Sequence, residues 1–159
     1  MFKPLAVAMS ATCLAFAASA NPASPDSVSG LLQGMDSTDV VIEWVDDSTA
    51  RVDATRNGYN FTVRLMDCDE SKKCKSSLTF AAFDMGGTPD IGEFQKINDY
   101  NDSYPFGRAF LIGDPDTEGY MVGIDYSISL ADENDYGQQE VSLFFIILDS
   151  FITHMQADG

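Results

Sequence analysis

Histidine is nearly missing from this sequence: His154 is the single one in 159 residues. That scarcity removes Ser–His and Cys–His nucleophile pairs, and it starves a zinc site of ligands. No G-x-S-x-G, H-E-x-x-H, P-loop or G-x-G-x-x-G motif is present. Basic residues are also few, with 9 Lys and Arg against 25 Asp and Glu and a formal charge of −16. Phosphate backbones and anionic lipids call for clustered cations, so nucleic acid and membrane surface are poor partners. No apolar run reaches the roughly 20 residues that a helical membrane span requires. What these absences leave is a chain with no cofactor motif and no evident catalytic equipment. The catalytic class still open is a carboxylate-pair hydrolase, since many acids allow many pairs.

The first twenty residues read as an export signal. Lys3 precedes an apolar run from Leu5 to Phe16, and Ala18-Ser19-Ala20 forms a small-x-small cleavage site before Asn21. The expected organisation is a signal peptide over 1–20, a tether over 21–23 and one domain over 24–159. The expected location is the periplasm or the medium. Cleavage removes Lys3 and Cys13, which takes the charge from −16 to −17 and leaves Cys68 and Cys74. Two cysteines in an oxidising compartment predict one disulfide.

The remaining pattern predicts alternating blocks of strands and helices. Ser24-Pro25 caps a short helix with Val28, Leu31, Leu32 and Met35 along one stripe. Strands are expected over 40–45, 50–56, 59–66 and 77–83, with Asn57-Gly58 as a two-residue hairpin turn. Between the third and fourth, hydrophobic matching pairs Leu65 with Leu78 and Val63 with Phe80, which places Leu78, Phe80 and Ala82 on the core side. Asp90 and Glu93 form a capping box for a second helix carrying Ile91, Phe94 and Ile97, closed by Pro105. A hairpin of two strands follows, then a turn at 134–138 and a long helix over 139–155. That helix is apolar on more than half its circumference, so both its sides are expected to be covered. The fold class is α+β: helix, four strands, helix, two strands and a long C-terminal helix around an antiparallel sheet.

Two places attract functional attention. Asp114, Asp116, Glu118 and Asp125 approach the acid spacing of a calcium loop, although Pro115 interrupts it and strand-like flanks favour a solvated hairpin turn. The stretch INDYNDSYPFGRAF holds Asn98, Tyr100, Asn101, Phe106 and Arg108. Asn98 and Asn101 share a helix face, and such side chains can bond loose backbone groups of a following turn. This stretch is read as a structural joint, with a ligand contact as the alternative. If Gly113 stands opposite Gly119, Arg108 shares a face with Phe110, Tyr120 and Ile124 and does not meet Asp125. It then anchors another acid within the fold or grips a partner's carboxylate.

These residues resemble the YbjN family over roughly Val40 to Met155. The resemblance is carried by Tyr59 to Leu65 with Cys68 and Cys74, by Leu78-Thr79-Phe80, by Ile97 to Asn101, and by Phe106-Gly107-Arg108-Ala109. The family often has tryptophan where this chain has Tyr100. Its fold is similar to that of type III secretion chaperones, dimeric α+β proteins that bind polypeptide without catalysis. The resemblance therefore implies a non-enzymatic, chaperone-like or scaffolding module with a protein or peptide partner, and leaves a homodimer open. A cation-responsive protein using Asp114 to Asp125 is the competing reading.

Overall fold

The structure, a computed structural model, describes residues 23–113, 119–130 and 136–157. The expected signal peptide, and Asp114, Asp116, Glu118, Asn134 and Asp135, lie outside the described residues. Nine elements follow one another: α1 (Pro25–Gly34), β1 (Thr38–Asp46), β2 (Thr49–Arg56), β3 (Tyr59–Met66), β4 (Ser76–Asp84), α2 (Ile91–Ser103), β5 (Arg108–Gly113), β6 (Tyr120–Ser129) and α3 (Gln138–Gln156). The strands form a six-stranded sheet in the order β1-β2-β3-β4-β6-β5, antiparallel throughout. Blocks of strands alternating with helices therefore give the expected α+β class.

Local chemistry accounts for the element ends. Ser24 and Ser27 exchange capping bonds ahead of Pro25 at the start of α1. Asp90 accepts from the backbone N–H of Gly92 and Glu93, while Glu93 takes the N–H of Asp90 at 2.9 Å. Asn57 and Gly58 both have positive φ, as the tight β2–β3 turn requires.

All three helices cover one face of the sheet. Val28 and Leu32 of α1 join one core with Val52, Phe61, Val63 and Leu65. Phe61 meets Phe144 and Phe145 of α3 at 5.7 and 5.6 Å, and Phe83 stacks near Phe151. Tyr100 carries α2 onto α3 through Phe151 and the backbone carbonyl of Ile147.

Two expected registers are wrong by one residue. Val63 pairs with Thr79 and Leu65 with Ser77, so Ser77, Thr79 and Ala81 face the core while Leu78, Phe80 and Ala82 face outward. The small side chains allow α3 to lie close, and Tyr136 satisfies the buried hydroxyl of Thr79 at 3.0 Å. Likewise Gly113 pairs with Tyr120 rather than Gly119, which places Arg108 directly opposite Asp125. A slip of one residue turns every side chain to the other face. Arg108, Phe110 and Ile112 therefore lie on the outer face, and the expectation that Arg108 avoids Asp125 is corrected.

Three smaller expectations also change. Ala23, expected in a tether, is buried, and its carbonyl accepts from Cys74 N–H at 2.9 Å. Ile91 and Phe94 are exposed, so α2 buries only Ile97 and Tyr100. On α3, Ile147 is buried against the sheet side while Ile146 stands 63% exposed.

Cys68 and Cys74 form the expected disulfide. Their backbones tie the β3–β4 turn to Ala23 and to Ser48. By loop-closure entropy the bridge contributes about 2 kcal/mol. Urea unfolding with and without a reductant is expected to show that loss.

Burial pushes the phenols of Tyr100 and Tyr136 up to about 12. The fold thus favours the neutral phenol, while the unfolded chain ionises near pH 10. This contribution is complete below pH 10 and disappears as pH rises to 12. Ultraviolet titration is expected to show these two tyrosines ionising together with unfolding, and Tyr136→Phe to flatten the pH dependence of stability.

Candidate functional site

The sheet face away from the helices divides into two halves of different chemistry. Over β1 to β3 it is mainly polar and laced by cross-strand pairs, with Val41 and Val45 of β1 exposed among them. Arg51 pairs with Glu43 at 2.7 Å and with Asp53 at 3.1 Å. Thr62 donates to Asp53 at 2.6 Å, and Thr55 donates to Asn60 at 2.8 Å. These are opposed or neighbouring ladder positions, the sites where cross-strand pairs form.

Over β4, β6 and β5 the same face is apolar. Leu78, Phe80 and Ala82 stand in one row, Phe110 and Ile112 in another, with Met121 and Gly123 between. Ile112 is 61% and Met121 40% exposed. Any side chain at Gly123 would run into the ring of Phe110 and the carbonyl oxygen of Ala81. Glycine there lets Phe110 lie flat on the sheet, which keeps this half smooth.

Arg108 and Asp125 close one end of the apolar half. Nε of Arg108 donates to Asp125 at 3.2 Å, and Nη2 donates to the other carboxylate oxygen. The carboxylate is almost buried, whereas 73% of the arginine side chain is exposed. Asp125 raises the guanidinium above its usual pKa. Asp125, counted among the cation ligands by sequence, is thus committed to Arg108. Among the described residues, no group of three or more His, Cys, Asp or Glu could hold a metal ion.

The other residues of the INDYNDSYPFGRAF stretch do separate tasks. Asn101 Nδ2 donates to Ala109 O at 3.1 Å, and Asn101 Oδ1 accepts from Ala109 N–H at 2.8 Å. Its amide thus meets the outer edge of β5 as a neighbouring strand would. Tyr100 is fully buried, stacks on Tyr104 at 4.4 Å and meets Phe151 and His154 edge-on. Gly107, with φ of 79°, brings the backbone close to Ile147 and Ile124. His154 and Lys96 bind backbone carbonyls across the α2–α3 contact. Asn98 and Phe106 are exposed. The stretch therefore splits. Tyr100, Asn101 and Gly107 hold the helix layer to β5, while Arg108 borders the open face.

The sequence reading missed Leu78, Phe80, Phe110, Ile112 and Met121 as surface residues. The available signal was the alternation of Ser77, Thr79 and Ala81 with larger residues, which hydrophobic matching reads in the opposite sense. A further apolar recess, about 190 Å³, opens where Tyr59, Phe83, Met85, Val122, Phe151 and Met155 meet. No helix among the described residues is long and apolar enough to cross a membrane.

A family model described as "YbjN: Putative bacterial sensory transduction regulator" matches residues 24–156. Among solved structures, the chain is similar to that described as "Crystal structure of YbjN, a putative transcription regulator from E. coli". The two are 14% identical with a TM-score of 0.49, over 82% of this chain and 85% of the other. No curated protein matches. With the model spanning both the open face and the α2–β5 joint, the chain belongs to the YbjN family.

Proposed function

We propose that this protein is an exported, non-enzymatic binding module that holds a polypeptide partner on the apolar half of its open sheet face. The observation that carries this reading is the cluster of half-buried Leu78, Phe80 and Phe110 with exposed Ile112 and Met121, on the sheet face that no helix among the described residues covers. Contiguous exposed apolar surface of this kind marks interaction sites. The occupant is a polypeptide carrying basic groups beside apolar side chains, because the chain's formal charge of −16 draws in cations and repels a second copy. The regulator descriptions attached to the family fit action through another protein, since an acidic surface repels DNA phosphates. The leader sequence and the Cys68–Cys74 bridge support an oxidising compartment.

Binding of a hydrophobic dye to the purified protein tests the surface. Ile112→Asp and Met121→Asp are expected to abolish dye fluorescence while leaving the melting temperature nearly unchanged, because both side chains are largely exposed. Undiminished dye binding in both variants would remove this face from consideration.

A further inference from the structure

A sheet of six strands has two edge strands, here β1 and β5, and this chain treats them differently. In an antiparallel pair, every second residue points its N–H and C=O away from its neighbour. On β5, Ala109 is one such residue, and Asn101 takes both of its groups. On β1, no backbone hydrogen bond reaches any element except β2 among the described residues. The ladder there is interrupted near both ends, between Thr38 and Val41 and between Trp44 and Asp46, which leaves Val41 to Trp44 in regular register. Asp39 has a positive φ of 53° within the first interruption. Such bulges and charges are the usual protection of an edge strand.

The protection on β1 has one sign. Asp39, Glu43, Asp46 and Asp47 are exposed along and just beyond the strand, and Asp69 and Glu70 gather with Asp46, Asp47 and Trp44 around a depression at its end. Two apolar residues, Val41 and Val45, stand 57% and 54% exposed beside these acids. Charges of this kind repel a second copy of the same acidic edge. They leave the backbone groups free for a strand of opposite charge. The nearest cations are engaged: Arg51 with Glu43 and Asp53, and Lys72 over the ring of Trp44 at 5.6 Å.

From this asymmetry we infer that β1 is a docking edge, which accepts an extended basic segment of a partner polypeptide as a seventh strand over Val41 to Trp44. Backbone hydrogen bonds supply the attachment, and alternating side chains supply the selection. Lysines or arginines on one side of the added strand meet Glu43 and the acids at either end. Apolar side chains on its other side lie beside Val40, Ile42 and Trp44, the half-buried row of β1. The site is separate from the apolar half of the open face, which lies across β2 and β3, so either surface can be tested without the other.

The probe is a synthetic peptide alternating lysine and valine, added to the full disulfide-bonded protein and followed by amide hydrogen exchange. Slowed exchange at Val41 to Trp44 is the expected result, with affinity falling as salt rises. Glu43→Lys is expected to weaken binding by about tenfold or more through like-charge repulsion. Its side chain is exposed, so folding should survive, and a thermal melt verifies this. The conservative Glu43→Gln is expected to fall between the two. A peptide alternating glutamate and valine is expected not to bind. Protection confined to β5 or to residues around Phe110 and Met121 overturns the inference while leaving the binding-module reading intact. Equal binding of both peptides, or indifference to Glu43→Lys, overturns the electrostatic selection and with it the inference. No binding by either peptide overturns it as well, and the dye experiment on Ile112 and Met121 then decides the other surface alone.

Discussion

Tyr100→Ala is expected to cost about 3–5 kcal/mol, the range for truncating a large buried aromatic. Tyr100 has no exposed surface. Its ring contacts three partners, Tyr104, Phe151 and His154, at 4.4, 5.4 and 5.5 Å. Its hydroxyl donates to Ile147 O at 3.3 Å, the link between α2 and the middle of α3. Truncation empties the space between two helices, and the surrounding side chains can refill it only in part. Because domains of this size hold about 5–15 kcal/mol in total, the variant should be marginal at growth temperature. Tyr100→Phe separates the two contributions. It keeps the ring and loses one neutral hydrogen bond, so about 1 kcal/mol is expected. Urea denaturation of the wild type and both variants, fitted with a shared slope, gives the comparison. Equal losses for alanine and phenylalanine would show that the hydroxyl, not the packing, is what matters.

Asn101→Ala has the second largest expected effect, and it differs in kind. The substitution removes two hydrogen bonds and leaves the N–H and C=O of Ala109 unpaired beneath α2. Ala109 is itself buried, so those groups recover little from solvent. A loss of about 2–3 kcal/mol follows from two bonds at roughly 1 kcal/mol each plus the cost of incomplete solvation. The second consequence is association. With Asn101 gone, β5 presents a free edge next to the exposed apolar Ile112, a combination prone to strand pairing. Sedimentation is expected to show concentration-dependent oligomers for Asn101→Ala and none for the wild type at the same concentration. Asn101→Asp is the informative control. It can still accept from Ala109 N–H, but it sets a carboxylate oxygen against the Ala109 carbonyl, so it should be destabilised at least as much at neutral pH.

The order and type of the elements were readable from the sequence because each signal is local. Ser24-Pro25, Asp90 with Glu93, and Asn57-Gly58 act on their own neighbours, and the structure realises them with hydrogen bonds or φ values that follow from those residue types. Two cysteines sufficed for the disulfide. Register was not readable in the same way, because it is decided between strands. Thr79 can be buried only because Tyr136, 57 positions later, reaches its hydroxyl. Nothing within 77–83 announces that partner, and hydrophobic matching then prefers Leu78 and Phe80 as the buried pair. Arg108 illustrates the consequence for the site. Its aromatic neighbours in sequence suggested an arginine searching for an acid, while the acid was Asp125, directly across the hairpin. Which residues make up the open face was hidden for the same reason, since they could be assigned only after both registers were known. Asn101 needed still less of the fold. The amide sits at the end of its helix, eight residues before the strand residue it clasps.

Site-specific photo-cross-linking in the native compartment can show whether a polypeptide lies on the apolar half of the open face. A photoreactive side chain at Ile112 probes the apolar half of the open face, and one at Thr62 probes the polar half of that same face. Ile112 is expected to become joined to one defined polypeptide, Met121→Asp in the same chain to abolish the product, and Thr62 to yield none. Cross-links of equal yield from both positions, or none from Ile112 while the protein remains folded, would contradict that placement.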